Sequence, residues 1–173
     1  TVTAGTLDIT ASSQPMTLSG NLTIPNNGGK FYAAGSTITL NGTAGQILNT
    51  NGSGIGQSFG ILTDSNTSTG GLVFASSYSA AGLTINLNGP TTVYFQANST
   101  FTITSFALTG TSGKPVQLRS TSGGTSWYLN NTSVNSVTQV DVKDSNANGG
   151  QTIVASNSTD SGNNRNWDFG GAG

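Results

Sequence analysis

Two ten-residue stretches decide the fold of this sequence: FYAAGSTITL at residues 31–40 and YFQANSTFTI at residues 94–103. They align without a gap, and the second begins 63 residues after the first. Each joins an aromatic pair, through a short link of small residues, to a run in which polar and apolar residues alternate. Self-similarity over this distance is typical of proteins built from stacked repeating units.

The alternation continues outside these stretches, for example in LTI at 22–24, LTINL at 83–87 and WYL at 127–129. A period of two places apolar side chains on one side of a strand and polar ones on the other. Asn-Gly, Gly-Gly and Ser-Gly pairs, which favour turns, separate the alternating segments. Gly or Asn interrupts each segment that could otherwise form a helix. The sequence therefore predicts an all-β fold with almost no helix.

The repeat helps to choose between two all-β architectures. Many short strands joined by turns suit a β-sandwich as well as a parallel β-helix, or β-solenoid. Coils of about 20–25 residues would place roughly three coils in each repeat, and a solenoid tolerates insertions at its turns. We predict one β-solenoid domain over residues 1–173, with a flexible tail at 170–173. The β-sandwich is the alternative.

The composition limits the classes of function that this chain can have. Gly, Ser, Thr and Asn make up more than half of the 173 residues, the net charge is −1, and His, Cys and Glu are absent. Without His or Cys the chain cannot form a His-based triad, a thiol nucleophile or a disulfide framework. Basic clusters and apolar runs of about 18 residues are missing, which argues against nucleic acid as a partner and against membrane insertion. The polar, lysine-poor composition indicates an extracellular or cell-surface protein.

Several stretches in the last part of the chain are similar to a module of large bacterial cell-surface proteins: TGTSGKPVQLRS at 109–120, WYL at 127–129, VTQVDVKDSNA at 137–147 and NSTDSGNNRNW at 157–167. These surface proteins are right-handed parallel β-helices of the filamentous-haemagglutinin type. The similarity covers residues 71–169, whereas the first 70 residues resemble the module only in style. The resemblance implies a surface-exposed or secreted β-helix and brings no catalytic residues with it.

Acidic residues concentrate near the C-terminus, where Asp141, Asp144, Asp160 and Asp168 accompany Lys143 and Arg165. Paired carboxylates are the groups with which many polysaccharide-active enzymes work. Asp141 and Lys143 share the outward side of one predicted strand, where a lyase could place a base. Catalytic carboxylates need a concave site that tunes their pKa, and nothing in the sequence predicts one. We expect solvated carboxylates with local ion pairs and no enzyme activity.

The segment DSNANG at 144–149 fits the opening of a calcium loop, with Asp144, Asn146 and Asn148 as candidate ligands. The position that supplies a bidentate carboxylate in such loops holds Ala155. Asx residues followed by Gly are also the commonest way to build a turn. Calcium is the only cofactor for which the sequence offers a candidate site.

Two further surface features are predicted. Asn51 and Asn66 lie in glycosylation sequons, and we expect both at exposed turns. The aromatic pairs Phe31-Tyr32, Tyr94-Phe95 and Trp127-Tyr128 alternate, so one member of each should be buried. Core stacking is the default for these rings, and sugar binding is the alternative.

These observations predict a non-catalytic structural subunit of an extracellular filament that assembles with itself, head to tail. A solenoid has open strand edges at its two ends, and we find no helical cap. The candidate assembly residues are Thr1, Val2, Thr3, Leu7 and Ile9, and residues 1–10 could instead be donated as a strand to a neighbour. The alternative function is an adhesin or carbohydrate-binding module with glycans as partners. A polysaccharide lyase or hydrolase is a third.

Overall fold

The computed structural model describes residues 5–10, 14–24, 30–50, 58–87, 89 and 91–170. The regular secondary structure of these residues consists of β-strands joined by turns and bends. None of them forms a helix, so none forms one long and apolar enough to cross a membrane. The strands are β1 Thr6–Asp8, β2 Met16–Leu18, β3 Leu22–Thr23, β4 Lys30–Leu40, β5 Gln46–Asn49, β6 Ser58–Asp64, β7 Leu72–Phe74, β8 Tyr78–Asn86, β9 Thr91–Phe95, β10 Thr100–Thr109, β11 Val116–Ser120, β12 Trp127–Asn131, β13 Asn135–Thr138, β14 Val140–Val142, β15 Ser145–Asn146, β16 Ile153–Ser156, β17 Thr159–Asp160 and β18 Trp167–Asp168.

The strands form two parallel sheets through which the chain passes in turn. One sheet has seven strands in the order β17-β14-β11-β9-β7-β5-β3, and the other has eleven. Neighbours in each sheet are one coil apart: β1–β3 form the first coil, β4 and β5 the second, β6 and β7 the third, and β8 and β9 the fourth. The β-solenoid prediction is confirmed. The sandwich alternative is wrong, because sandwich strands pair antiparallel.

The long strands of the larger sheet bend in the middle, which divides that sheet into two faces. Alternation of buried and exposed residues breaks at Gly35 in β4, at Gly60 in β6 and at Gly82 in β8. Further along, β12 and β13 pair with the two halves of β10 as separate strands. The halves of the long strands before the bend form what we call the first face, and the halves after the bend form the second face. The seven-stranded sheet is the third face.

The core consists of columns of inward side chains that continue from coil to coil. Leu72, Val93, Leu118 and Val142 form one column on the third face, in register and fully buried. Beside these columns runs an aromatic stack that crosses the register, with successive rings 5.2–6.4 Å apart by centroid along Phe31, Phe59, Tyr78, Phe101 and Trp127. Stacking like on like lets each coil bury the apolar surface of the previous one, which is the main source of stability in such folds.

The coil-to-coil register corrects the alignment of the internal repeat. Ala33 pairs with Phe59, Phe59 with Ala80, and Ala80 with Ile103, so equivalent residues three coils apart are 70 positions apart on this face. The sequence alignment had matched Ala33 with Gln96. Three coils per repeat is correct, but the matched stretches occupy different faces, because residues 94–95 end a strand of the third face.

Gly60 provides a direct test of the packing at the bend. A Cβ atom on Gly60 would lie 2.3 Å from the carbonyl oxygen of Ser36 in the preceding coil. Gly60→Ala should therefore lower the free energy of unfolding by about 1–3 kcal/mol, the range for overpacked sites. Gly20→Ala is the control, because its Cβ would have no neighbour within 4 Å. Denaturant unfolding of both variants measures the difference, and equal losses would contradict the close approach of the two coils.

Candidate functional site

The acidic residues near the C-terminus do not gather into one site. Asp141 lies on the outer surface of the third face, whereas Asp144 is buried at the corner that follows it. Asp160 and Asp168 belong to the last strands, β17 and β18, and are exposed. Oδ1 of Asp160 accepts a hydrogen bond from the N–H of Gly162, and Oδ1 of Asp168 accepts one from Gly170. These carboxylates fix local turns.

Asp141 forms an ion pair with an arginine on the neighbouring strand. The Nη2 of Arg119, one coil earlier, lies 2.7 Å from Oδ2 of Asp141, so the pair does not involve Arg165. Partial burial raises the pKa of Asp141, but hydrogen bonds from Arg119 and Ser161 and the nearby positive charges outweigh it and hold the pKa below its usual value. A carboxylate held in its ionised form by an arginine is a stable surface contact, and a poor general acid.

The candidate calcium ligands already accept hydrogen bonds from the protein. Asp144 is 2% exposed; its Oδ2 accepts the N–H of Gly124 at 3.0 Å, and its Oδ1 accepts the side-chain amide of Asn163 at 2.8 Å. Oδ1 of Asn146 accepts the N–H of Asn148. The described residues contain no group of three or more His, Cys, Asp or Glu placed to hold a metal. Calcium takes six to eight oxygen ligands, so these three side chains alone would not complete its coordination shell.

The expected exposure of Asn66 is wrong. Asn66 is fully buried, and its side-chain amide donates to the carbonyl of Ala44 at 2.9 Å in the preceding coil. Its sequon lies at a turn, but the side chain turns inward to bond a backbone group that would otherwise be unpaired. A glycan cannot be attached to this amide in the folded chain. Asn51 lies outside the described residues.

Asn66 belongs to a cluster of buried polar residues that sequence reasoning missed. The cluster, which we call the polar corner, consists of Gln46, Asp64 and Asn66, each no more than 1% exposed, where the second face meets the third. A sequence signal did exist, because Asp64 has the same parity as Leu62 in β6 and is therefore placed inward by the alternation.

The two ends of the solenoid differ in chemistry. Leu7 pairs with Phe31 and Met16 with Ile38, so residues of the first coil stand over inward columns, with Leu7 41% exposed. At the other end, the rings of Trp167 and Phe169 stack with centroids 5.8 Å apart and are only partly buried. Of the other candidate assembly residues, Ile9 is partly buried against the core, and Thr1, Val2 and Thr3 lie outside the described residues.

The described part of the first ten residues pairs within its own chain. Strand β1 lies parallel to β4, with Thr6 opposite Lys30 and Asp8 opposite Tyr32. In the proposed tail, Gly170 is described and residues 171–173 are not.

A shallow groove of about 280 Å³ runs over the first face and its bend. Small, uncharged residues line most of it, among them Ala34, Ser58, Ser79 and Thr102 from four successive coils. The predicted alternation of the aromatic pairs is correct: Phe31, Phe95 and Trp127 are fully buried, whereas Tyr32, Tyr94 and Tyr128 are half-buried or exposed. Tyr32 lies two residues before Ala34 on β4. Tyr128 pairs in register with Thr100, which lines an adjoining depression. The groove is thus flanked by two outward tyrosines, one near each end.

Compared with protein-family profiles, curated proteins and solved structures, the chain matches none of them. The fold and the geometry above define its class: a parallel β-solenoid protein.

Replacing Asp144 tests its role in joining the last coils. Asp144→Ala leaves the N–H of Gly124 and the amide of Asn163 without their acceptor, which should cost about 1–3 kcal/mol of unfolding free energy. Asp168→Ala, at an exposed carboxylate, is the control and should cost less.

We also expect the melting temperature of the unmodified chain to be the same with calcium and with a chelator. A chelator-sensitive melting temperature that disappears in Asp144→Ala would establish a calcium site instead.

Proposed function

We propose that this protein is a non-enzymatic, extracellular structural subunit that associates end to end into a filament at a cell surface. The observation that carries the proposal is the apolar first coil. Inward columns of the core end there in Leu7, Ile9, Met16 and Leu18, which are exposed or only partly buried. Apolar surface that continues a core column is stabilised when another coil covers it.

The opposite end offers a matching surface. The stacked rings of Trp167 and Phe169 remain partly exposed beside the short strand β18. An aliphatic end and an aromatic end on one rod favour contact between unlike ends, and such a contact repeats without closing. Among the described residues, β1 and β18 are the outermost strands of their sheet, and their outer edges would add backbone hydrogen bonds between subunits. Because β1 already pairs with β4, coil stacking accounts for the contact better than strand donation does.

The non-enzymatic part of the proposal is supported by how the acidic groups are used. Asp141 is held by Arg119, and both carboxylate oxygens of Asp144 accept hydrogen bonds from neighbouring coils.

Leu7→Lys tests end-to-end association. The variant places a charge on the proposed contact, and losing the burial of one leucine should weaken association about 10- to 100-fold, as expected for about 1.5–3 kcal/mol. Ile61→Lys is the matched control, because Ile61 is equally exposed, at 43%, but lies on the side of the rod. Sedimentation velocity over a range of concentrations measures association, and circular dichroism verifies the fold. If the unmodified chain stays monomeric at the highest concentrations, the filament proposal fails.

A second candidate function, binding of neutral glycans, is favoured by the groove on the first face. The residues that line it are uncharged, several carry hydroxyl groups, and outward tyrosines flank it. Sugars present hydroxyls to hydrogen-bonding groups and C–H faces to aromatic rings, so this lining suits an uncharged saccharide chain better than an ionic ligand. The groove spans several coils, and each coil adds about 4.8 Å, so an extended chain could lie along it.

Tyr128→Ala tests this candidate. Loss of one aromatic platform should lower affinity for a neutral polysaccharide about fivefold, because a ring contact of this kind contributes on the order of 1 kcal/mol. Tyr94→Ala, which removes an outward tyrosine from the third face, should leave the affinity unchanged. Affinity electrophoresis in gels containing soluble neutral polysaccharides compares the variants. Equal retardation of both variants would rule out this groove as the binding site.

A further inference from the structure

Asp64 is a carboxyl group in the core of the solenoid. It is 1% exposed, and its position at the end of β6 is in register with Leu40 of the second coil and Ile85 of the fourth. Both of these neighbours are fully buried members of an inward column. Oδ2 of Asp64 has no hydrogen-bond partner among the described residues. An acid at such a position is unfavourable when ionised, because burial separates the carboxylate from bulk solvent.

The same residue belongs to a hydrogen-bond chain that joins four coils. Oδ1 of Asp64 accepts the N–H of Asn66 at 2.8 Å. The side-chain amide of Asn66 in turn donates to Oε1 of Gln46 at 3.3 Å. The backbone carbonyl of Asn66 accepts a hydrogen bond from the hydroxyl of Thr91 in the fourth coil.

Gln46 carries this chain to the first coil. Its Nε2 donates to the carbonyls of Leu18 and Gly20, at 2.8 and 2.7 Å, while its Oε1 accepts the N–H of Gly42. The polar corner therefore fastens the first coil to the rest of the solenoid through side chains as well as through the strand ladders. A change at Asp64 is transmitted along this chain, because each member depends on its neighbour for position.

Among the residues that the structure describes, no charged group compensates Asp64. The titratable residues on the strands packed around it are Lys30 and Tyr32 on β4, Tyr78 on β8 and Tyr94 on β9. Lys30 and Tyr32 are at the far end of β4 from Leu40, Tyr78 is at the far end of β8 from Ile85, and Tyr94 points outward from the third face. Burial raises the pKa of Asp64 to about 6, although the N–H of Asn66 partly opposes the rise.

We propose that the polar corner is an acid-stabilised latch: with Asp64 neutral, the first and second coils are held firmly on the third and fourth, and ionisation of Asp64 loosens them. The device acts on the coil that carries the proposed end-to-end contact, but it operates in the single chain whether or not the chain assembles. Acidification therefore strengthens this end of the solenoid, and a neutral medium weakens it.

The direction of the effect follows from the two states of Asp64. An unfolded aspartate ionises near pH 3.9, and the folded one near 6, so the neutral form is favoured by folding. The stabilisation is complete below pH 3.9, falls as the pH rises, and is lost above about 6. A difference of about two pH units corresponds to about a hundredfold change in the folding equilibrium constant.

Asp64→Asn provides the main test, since it keeps the shape of the side chain and removes the titration. Denaturant unfolding of the full chain between pH 4 and pH 8 should show the unmodified protein losing about fiftyfold more in its folding equilibrium constant than Asp64→Asn, because part of the change falls below pH 4. Asp160→Asn, at an exposed carboxylate, should follow the unmodified protein. Parallel pH profiles for the unmodified protein and Asp64→Asn would overturn the proposal.

Two measurements on the unmodified chain locate the effect and do not depend on the variant folding. The carboxyl ¹³C resonance of Asp64 should titrate near pH 6, whereas a midpoint near 4 contradicts the proposal. Hydrogen exchange, corrected for the intrinsic effect of pH, should show that protection of β4 and β6 falls between pH 5 and pH 7.5 while that of β11 and β14 is retained. A uniform loss of protection along the rod would refute a local latch.

Discussion

Every other feature of this structure depends on the parallel pairing of each coil with the next. Parallel ladders leave no room for hairpins, so the chain must pass around the solenoid before it meets itself again. Because each strand lies directly over its equivalent, side chains stack in columns. The surroundings of an inward side chain are therefore set by the residues one coil above and one coil below it. Phe74 and Phe95, which pair in register on the third face with ring centroids 5.2 Å apart, are one result.

The same constraint explains why polar residues inside the rod are tolerated. At the corners the backbone leaves the ladder, and its carbonyl and amide groups need other partners. Gln46, Asn66 and Asn131 meet this need by bonding backbone groups of neighbouring coils. Buried amides of this kind have both donor and acceptor atoms, so they can link two coils at once. Asp64 is the exception, because a carboxyl with one unpaired oxygen contributes no second link.

The functional interpretation follows from the contrast between the ends and the sides of the rod. Along the sides, most apolar residues face inward and the outward surface is rich in hydroxyl and amide groups, and the exposed apolar side chains Ile47, Ile61, Val134 and Val154 stand outside the inward columns. At the first coil the apolar columns reach the surface, and at the last strands an aromatic pair does so. An interaction driven by apolar burial would use the ends, whereas recognition of a polar, uncharged chain would use the groove on a side. The two proposed functions therefore require different surfaces and do not exclude each other.

The sequence by itself determined an all-β fold and the inward or outward direction of each aromatic pair, because an alternation of period two acts within a few residues. It favoured a solenoid through its internal repeat but left a β-sandwich open. It also limited the available chemistry, since His, Cys and Glu are absent. It did not determine which residues share a column. The matched stretches at 31–40 and 94–103 have similar residues but lie on different faces, because the lengths of the turns and bends between them set the register. The burial of Asn66 was likewise decided by the tertiary structure. A side chain at a turn faces water or the interior according to whether the next coil leaves a backbone group unpaired beside it.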